Sequence, residues 1–181
     1  MNRTRPALAF ALLAALAVAP GPAAARGPST PQERQRALKL TRQLERQPLS
    51  DDANRDRRWL VQWIAEIPDI NVRSCSGPLD GLLADDGSKH GKALYAQSIF
   101  GMAAFLIEHP RDKDDWLSVQ TAGVESTLKA YKAMVDADPS TRWEELDQLL
   151  ELRARGRLKD VLELAMRDCG DATAPGPGDA I

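Results

Sequence analysis

SKHGKALYAQSIFGMAAFLIEHP, residues 88–110, decides the fold. Ser88 stands where a helix cap is wanted and Pro110 where a helix must stop, which predicts a helix from about Lys89 to His109. From Ala93 to Ile107 there are 15 residues without a charge. That run is too short to cross a bilayer and contains Gln97 and Ser98. A helix apolar on nearly every side belongs at the buried centre of a helical bundle. Ala96, Gly101, Ala103 and Ala104 would let neighbouring backbones come close.

Signals for further helices lie on both sides. Upstream, Thr30-Pro31-Gln32-Glu33 is a capping box with proline at the first helical position, and its helix runs to about Gln47 before Pro48. Ala37, Leu40, Thr41 and Leu44 share one side of it. Ser50 is the expected cap of a second helix, with Asp51 and Asp52 in the first turn and an apolar stripe of Trp59, Leu60, Trp63, Ile64 and Ile67. Downstream, Asp112 is the expected cap of a fourth helix, whose stripe includes Trp116, Leu117, Val124, Leu128, Tyr131 and Val135. Thr141-x-x-Glu144 is a second capping box, opening a fifth helix that Gly156 ends. A sixth carries Leu158, Val161, Leu162, Ala165 and Cys169 on one stripe. The expected fold is all-α: a bundle of five or six helices with one disulfide, the third helix central and the second, fourth and sixth around it. The exception is the segment 68–87, broken by Pro68, Gly77, Pro78, Gly81 and Gly87. It has room for a short extended piece at Ile70 and Val72 and for a single helical turn at Leu79, Leu82 and Leu83.

The start of the chain predicts export. Arg3 and Arg5 precede an uninterrupted apolar stretch from Ala7 to Ala19, then Pro20-Gly21-Pro22 and Ala23-Ala24-Ala25, the pattern of a signal peptide cut after Ala25. A single helical domain over 26–169 and a disordered tail over 170–181 would follow. The expected address is periplasmic or secreted, with no membrane span after cleavage. Without Arg3 and Arg5, residues 26–181 hold 22 basic and 26 acidic residues, a formal charge of −4. Such mild acidity argues against a grip on nucleic acid or anionic lipid. In an oxidising compartment the two cysteines, Cys75 and Cys169, are expected to form a structural disulfide. Its loop of about 95 residues would stabilise the fold by roughly 4–5 kcal/mol.

Motifs for chemistry fail on spacing. Gly87-Ser88-Lys89-His90-Gly91-Lys92 is one residue too short for a phosphate loop, and Ala93 stands where Ser or Thr should hold magnesium. His90 and His109, the two histidines, would lie about 28 Å apart along one helix and cannot share a metal within one subunit. Asp80 to Asp86 does not reproduce a calcium loop, and no G-x-S-x-G occurs. No cofactor and no catalytic residue is therefore expected.

Two functional expectations remain. Trp116 and Trp143 lie in first turns near bundle ends, which makes them candidates for contact with a protein partner or a second copy. On that basis the chain is expected to be a non-catalytic interaction module. The alternative is a small-molecule binder or weak hydrolase, with a pocket by the 68–87 segment built from His90, Asp85, Asp86 and Tyr95. The basic cluster Arg55, Arg57 and Arg58 is expected to be a solvated face, with contact to an acidic partner as the lesser reading.

Leu149 to Ala165, turning at Gly156, resembles the helix–turn–helix of a tetratricopeptide repeat, and Ala130-Tyr131 through Asp138-Pro139 resembles the end of such a repeat's second helix. Pro110 and Pro139 are 29 residues apart where the repeat needs 34, so the resemblance stops at the helical hairpin. The whole layout resembles short exported bacterial helical proteins of uncharacterised function, which implies no activity and no site residues.

Overall fold

The computed structural model describes residues 26–74, 77, 79–83 and 89–167. Six α-helices form among them: α1 (Pro31–Arg46), α2 (Ala53–Glu66), α3 (Gly91–Glu108), α4 (Trp116–Ala137), α5 (Glu144–Ala154) and α6 (Leu158–Ala165). Two 3-10 turns, Asp80–Leu83 and Pro139–Thr141, complete the set, and no strand occurs among the described residues. Residues 1–25, Cys75, Asp85, Asp86, Ser88, Cys169 and residues 170–181 lie outside the described residues, so the expected signal peptide, disulfide, Asp85–Asp86 pair and tail do too.

The helices stack in three layers. The pair α3 and α4 is the middle layer, α1 and α2 cover one side, and α5 and α6 cover the other. Among the described residues, neither α1 nor α2 touches α5 or α6. This corrects the expected arrangement around the third helix. α1 takes the place expected of α6 against α3, while α6 packs on α4 and α5. The cause is the contact between α3 and α4. A Cβ on Gly101 would come within 2.4 Å of Ser126 Cβ and 2.8 Å of the Ala122 carbonyl oxygen. A Cβ on Gly123 would meet Met102 Cγ and the Ser98 carbonyl oxygen, each at 2.9 Å. Only glycine permits these backbones so close, and the 22 residues of α4 then offer a surface to both outer layers.

Two apolar clusters flank this contact. One gathers Leu40, Leu44, Leu60, Trp63 and Phe100 from α1, α2 and α3. The other gathers Leu82, Leu128, Tyr131, Leu146 and Leu162 from the first 3-10 turn, α4, α5 and α6. Between them runs a buried polar seam. Gln97 Nε2 donates to Ser126 Oγ at 2.9 Å, and Ser126 Oγ donates to Glu45 Oε1 at 2.8 Å. Arg42 Nη1 lies 2.9 Å from the same carboxylate oxygen, and Lys129 Nζ lies 3.7 Å from its Oε2. A buried carboxylate needs such partners, and here they fasten α1 to the middle layer.

Helix starts follow the local competition for backbone donors. At α1 the capping box forms as expected: Glu33 N donates to Thr30 Oγ1 at 3.2 Å and Thr30 N to Glu33 Oε2 at 2.8 Å. Elsewhere the expected caps shift. Ser50 belongs to a turn, and α2 starts only at Ala53 after an Asp52 that makes no capping bond. Asp115, not Asp112, caps α4 by accepting from Ser118 N at 3.1 Å. The Thr141 box is replaced by the 3-10 turn, whose cap Asp138 accepts from Ser140 N at 3.0 Å, and α5 begins after Trp143. The α5–α6 junction turns on Gly156, whose φ of 69° suits glycine. The turn Asp80–Leu83 forms where the leucines suggest it, with Leu79 and Leu82 buried and Leu83 outside. Ile70 is buried without joining a strand.

Candidate functional site

Three places on the molecule are candidates for a site: the neighbourhood of Tyr95, the two first-turn tryptophans and the outer face of α1 and α2. Tyr95 stands on α3 and donates its hydroxyl hydrogen bond to Ser74 Oγ at 2.7 Å. Beside it a cleft runs between α3, α4 and α6, lined by Ser74, Ser98, Met102, Gln120, Leu162 and Met166 among others. Its volume is about 20 Å³, room for one water, whereas pockets for small molecules start at roughly 300 Å³. His90 does not line it. The imidazole sits at the start of α3, with Lys89, Arg57 and Asp138 as its charged neighbours. Burial, together with the Lys89 and Arg57 charges, lowers its pKa from the ordinary histidine value.

The tryptophans of the first turns are both half-buried. Trp143 packs against the α4–α5–α6 cluster with its ring beside Gly81, and its backbone N–H donates to Tyr131 Oη at 2.8 Å. Tyr131 Oη lies 2.9 Å from Asp147 Oδ1, to which it donates. Burial raises the pKa of this phenol. Trp116 lies under the Arg73 guanidinium, 5.5 Å from the ring centre. Large apolar side chains that are exposed among the described residues are Leu49, Val61, Leu83 and Leu164, each from a different segment. Neither Trp116 nor Trp143 is one of them.

The α1–α2 face has a different composition. Trp59 and Trp63 stack at 5.6 Å with their planes 11° apart, and the Arg36 guanidinium covers Trp59 at 4.2 Å. Next to this stack runs an open groove of about 720 Å³, lined mainly by Gln32, Arg36, Lys39, Gln43, Asp52 and Asp56. Asp56 is 4% exposed and accepts from Gln43 Nε2 at 3.3 Å, while Arg55 reaches both Asp52 at 2.7 Å and Asp56 at 3.4 Å. The two groove carboxylates are therefore occupied. The groove cations Arg36 and Lys39 are exposed and join no ion pair among the described residues, and the same holds of Arg46 and Arg58 nearby. Residues 26–74 contain ten basic and seven acidic residues, a formal +3 inside a chain of negative net charge. Such a surface can hydrogen-bond amides and pair with carboxylates.

The sequence carried part of this signal. Arg36, Lys39, Gln43 and Arg46 recur at i, i+3, i+7 and i+10, one polar stripe of a helix, but the apolar stripe behind them draws attention first. Among the described residues no group of three or more His, Cys, Asp or Glu could hold a metal ion, and no helix is long and apolar enough to cross a membrane. Compared with known protein families, curated proteins and solved structures, the chain finds no match.

Proposed function

We propose that this protein is an exported, non-catalytic interaction module that holds a carboxylate-bearing segment of a protein partner in the α1–α2 groove. One observation carries the proposal: the groove presents Arg36 and Lys39 without ion-pair partners while its own carboxylates are occupied. A cleft of about 20 Å³ at Tyr95 favours this reading over the small-molecule alternative. The test is a photo-crosslinking amino acid placed at Gln35, on the groove, and separately at Glu163, on α6. A partner, or a second copy of the chain, should be captured from Gln35 and not from Glu163. Equal capture from both positions would contradict the proposal.

Export and the Cys75–Cys169 disulfide belong to the same proposal. Ser74 and Gly77, which bracket Cys75 closely, line one cleft with Met166, three residues before Cys169. That shared cleft is what supports pairing. Thiol titration of the unreduced, denatured protein should find no free thiol, and two per chain would refute the bridge.

A further inference from the structure

Arg36 and Lys39 stand on the α1 flank of the groove, and neither meets a carboxylate among the described residues. Like charges three residues apart on a helix repel, so a carboxylate lying between them is held by both. Two stretches of the chain carry a matching charge. Residues 75–88 and 168–181 each contain three aspartates and no lysine or arginine. The first is fastened to α3 through its Asp80–Leu83 turn, with Leu79 and Leu82 buried. The second follows α6 and lies outside the described residues.

We infer that the stretch after α6 occupies the groove of its own chain, with the Asp179 carboxylate between Arg36 and Lys39, and that an acidic partner must displace it. This rests on the reading of the groove as a carboxylate site. Reach decides which aspartate can serve. Met166, just past α6, lines the same water-sized cleft as Ser74. From Ser74 the chain runs back through eight residues, Ile67–Ser74, to Glu66 at the end of α2. Arg26 pairs with both Glu66 and Glu33, which sets that end of α2 beside the first turn of α1. Arg36 and Lys39 follow Glu33 by about 5 and 9 Å along the helix. Even fully extended, residues 67–74 span at most about 27 Å, whereas the twelve residues from Arg167 to Asp179 reach about 40 Å. The difference covers the first two turns of α1. Asp171, four residues past Arg167, reaches about 13 Å and falls short. One aspartate between two exposed cations is a weak hold. The tether offsets that weakness by keeping the segment at an effective concentration in the millimolar range. A partner with several carboxylates can still displace it.

The test uses the purified full chain with the photo-crosslinking amino acid at Gln35, irradiated alone, then reduced and cleaved with trypsin. An adduct with the peptide 168–181 is expected, in a product of monomer mass. Asp179→Asn should lower its yield about fivefold, the worth of one exposed ion pair, and Asp171→Asn should leave it unchanged. Asp179→Asn should also raise capture of a partner at Gln35 severalfold. No adduct, an adduct of dimer mass, or equal yields from the two variants would overturn the inference. If the wild type captures a partner but forms no adduct, the inference falls and the groove reading stands. If the Asp179→Asn variant captures no partner while the wild type forms the adduct, the groove fails as a partner site and the contact within the chain is supported.

Discussion

The α1–α2 layer and the α5–α6 layer are both short amphipathic hairpins laid on the same central pair, yet a smaller share of the cations is paired in the first than in the second. Residues 139–167 contain six basic and six acidic residues. Most of those cations are paired close by: Arg142 with Asp147 at 3.0 Å, Arg155 with Glu151 at 3.1 Å and Arg157 with Asp160 at 2.7 Å, while Arg153 reaches Glu125 of α4 at 2.6 Å. On the other side, Arg26, Arg34, Arg42 and Arg55 find carboxylates, but Arg36, Lys39, Arg46, Arg57, Arg58 and Arg73 find none among the described residues. Exposed ion pairs add little stability, so neither arrangement is needed for folding. The contrast therefore teaches where the molecule has attraction left for something else.

Both layers rest on the α3–α4 pair, and the close contact within that pair carries the largest expected effect. Gly101→Ala forces a methyl group into Ser126 Cβ and the Ala122 carbonyl, and should destabilise the fold by about 3 kcal/mol in urea unfolding. A cost near zero would mean that α3 and α4 are not locked by this contact. Next is the fastening of the α1–α2 layer itself. Glu45→Ala removes the carboxylate that Ser126 and Arg42 share and leaves these donors unmatched, at a cost of about 2 kcal/mol. Glu151→Ala, the loss of an exposed i,i+4 pair, should cost about 0.5 kcal/mol or less. Equal losses from the two variants would erase the distinction between the layers.

A smaller effect comes from the start of the α1–α2 layer. Burial raises the Asp69 carboxyl, but hydrogen bonds from Ser29 N and Oγ, each at 2.7 Å, and from Arg34 outweigh it, so the pKa is lowered. A carboxyl held below its unfolded value contributes stability that is complete above about pH 4 and lost as the pH falls through the lowered value. Asp69→Asn should cost about 1 kcal/mol at pH 7, and the gap from wild type should close in acid. A gap that stays constant from pH 7 down to pH 2 would contradict this account of Asp69.

Much of the fold was legible in the residues because helices announce themselves locally. The Thr30 box, Gly156 and the charge-free run of α3 each act within a few positions. What escaped depends on distant partners. Tyr131, twelve residues upstream, bonds the Trp143 backbone, and the α5 start at Glu144 cannot be read from Thr141 and Glu144. Periodicity showed that α3 must be buried, but not that Gly101 would meet Ser126 and so seat α1 rather than α6 beside it. The candidate surface was hidden for the same reason. Arg34 and Arg36 look alike in sequence, and only the fold gives Asp69 to one and Trp59 to the other.

The central claim is that the unpaired cations of α1 are kept for a partner, and a pair of charge reversals tests it most directly. Arg36→Glu with Lys39→Glu on the α1–α2 layer, and Arg155→Glu with Lys159→Glu on the α5–α6 layer, should each shift stability by less than about 1 kcal/mol. Capture through a photo-crosslinker at Gln35 should fall at least tenfold in the first variant and stay at the wild-type level in the second. Undiminished capture in the first variant, or an equal fall in both, would contradict the claim.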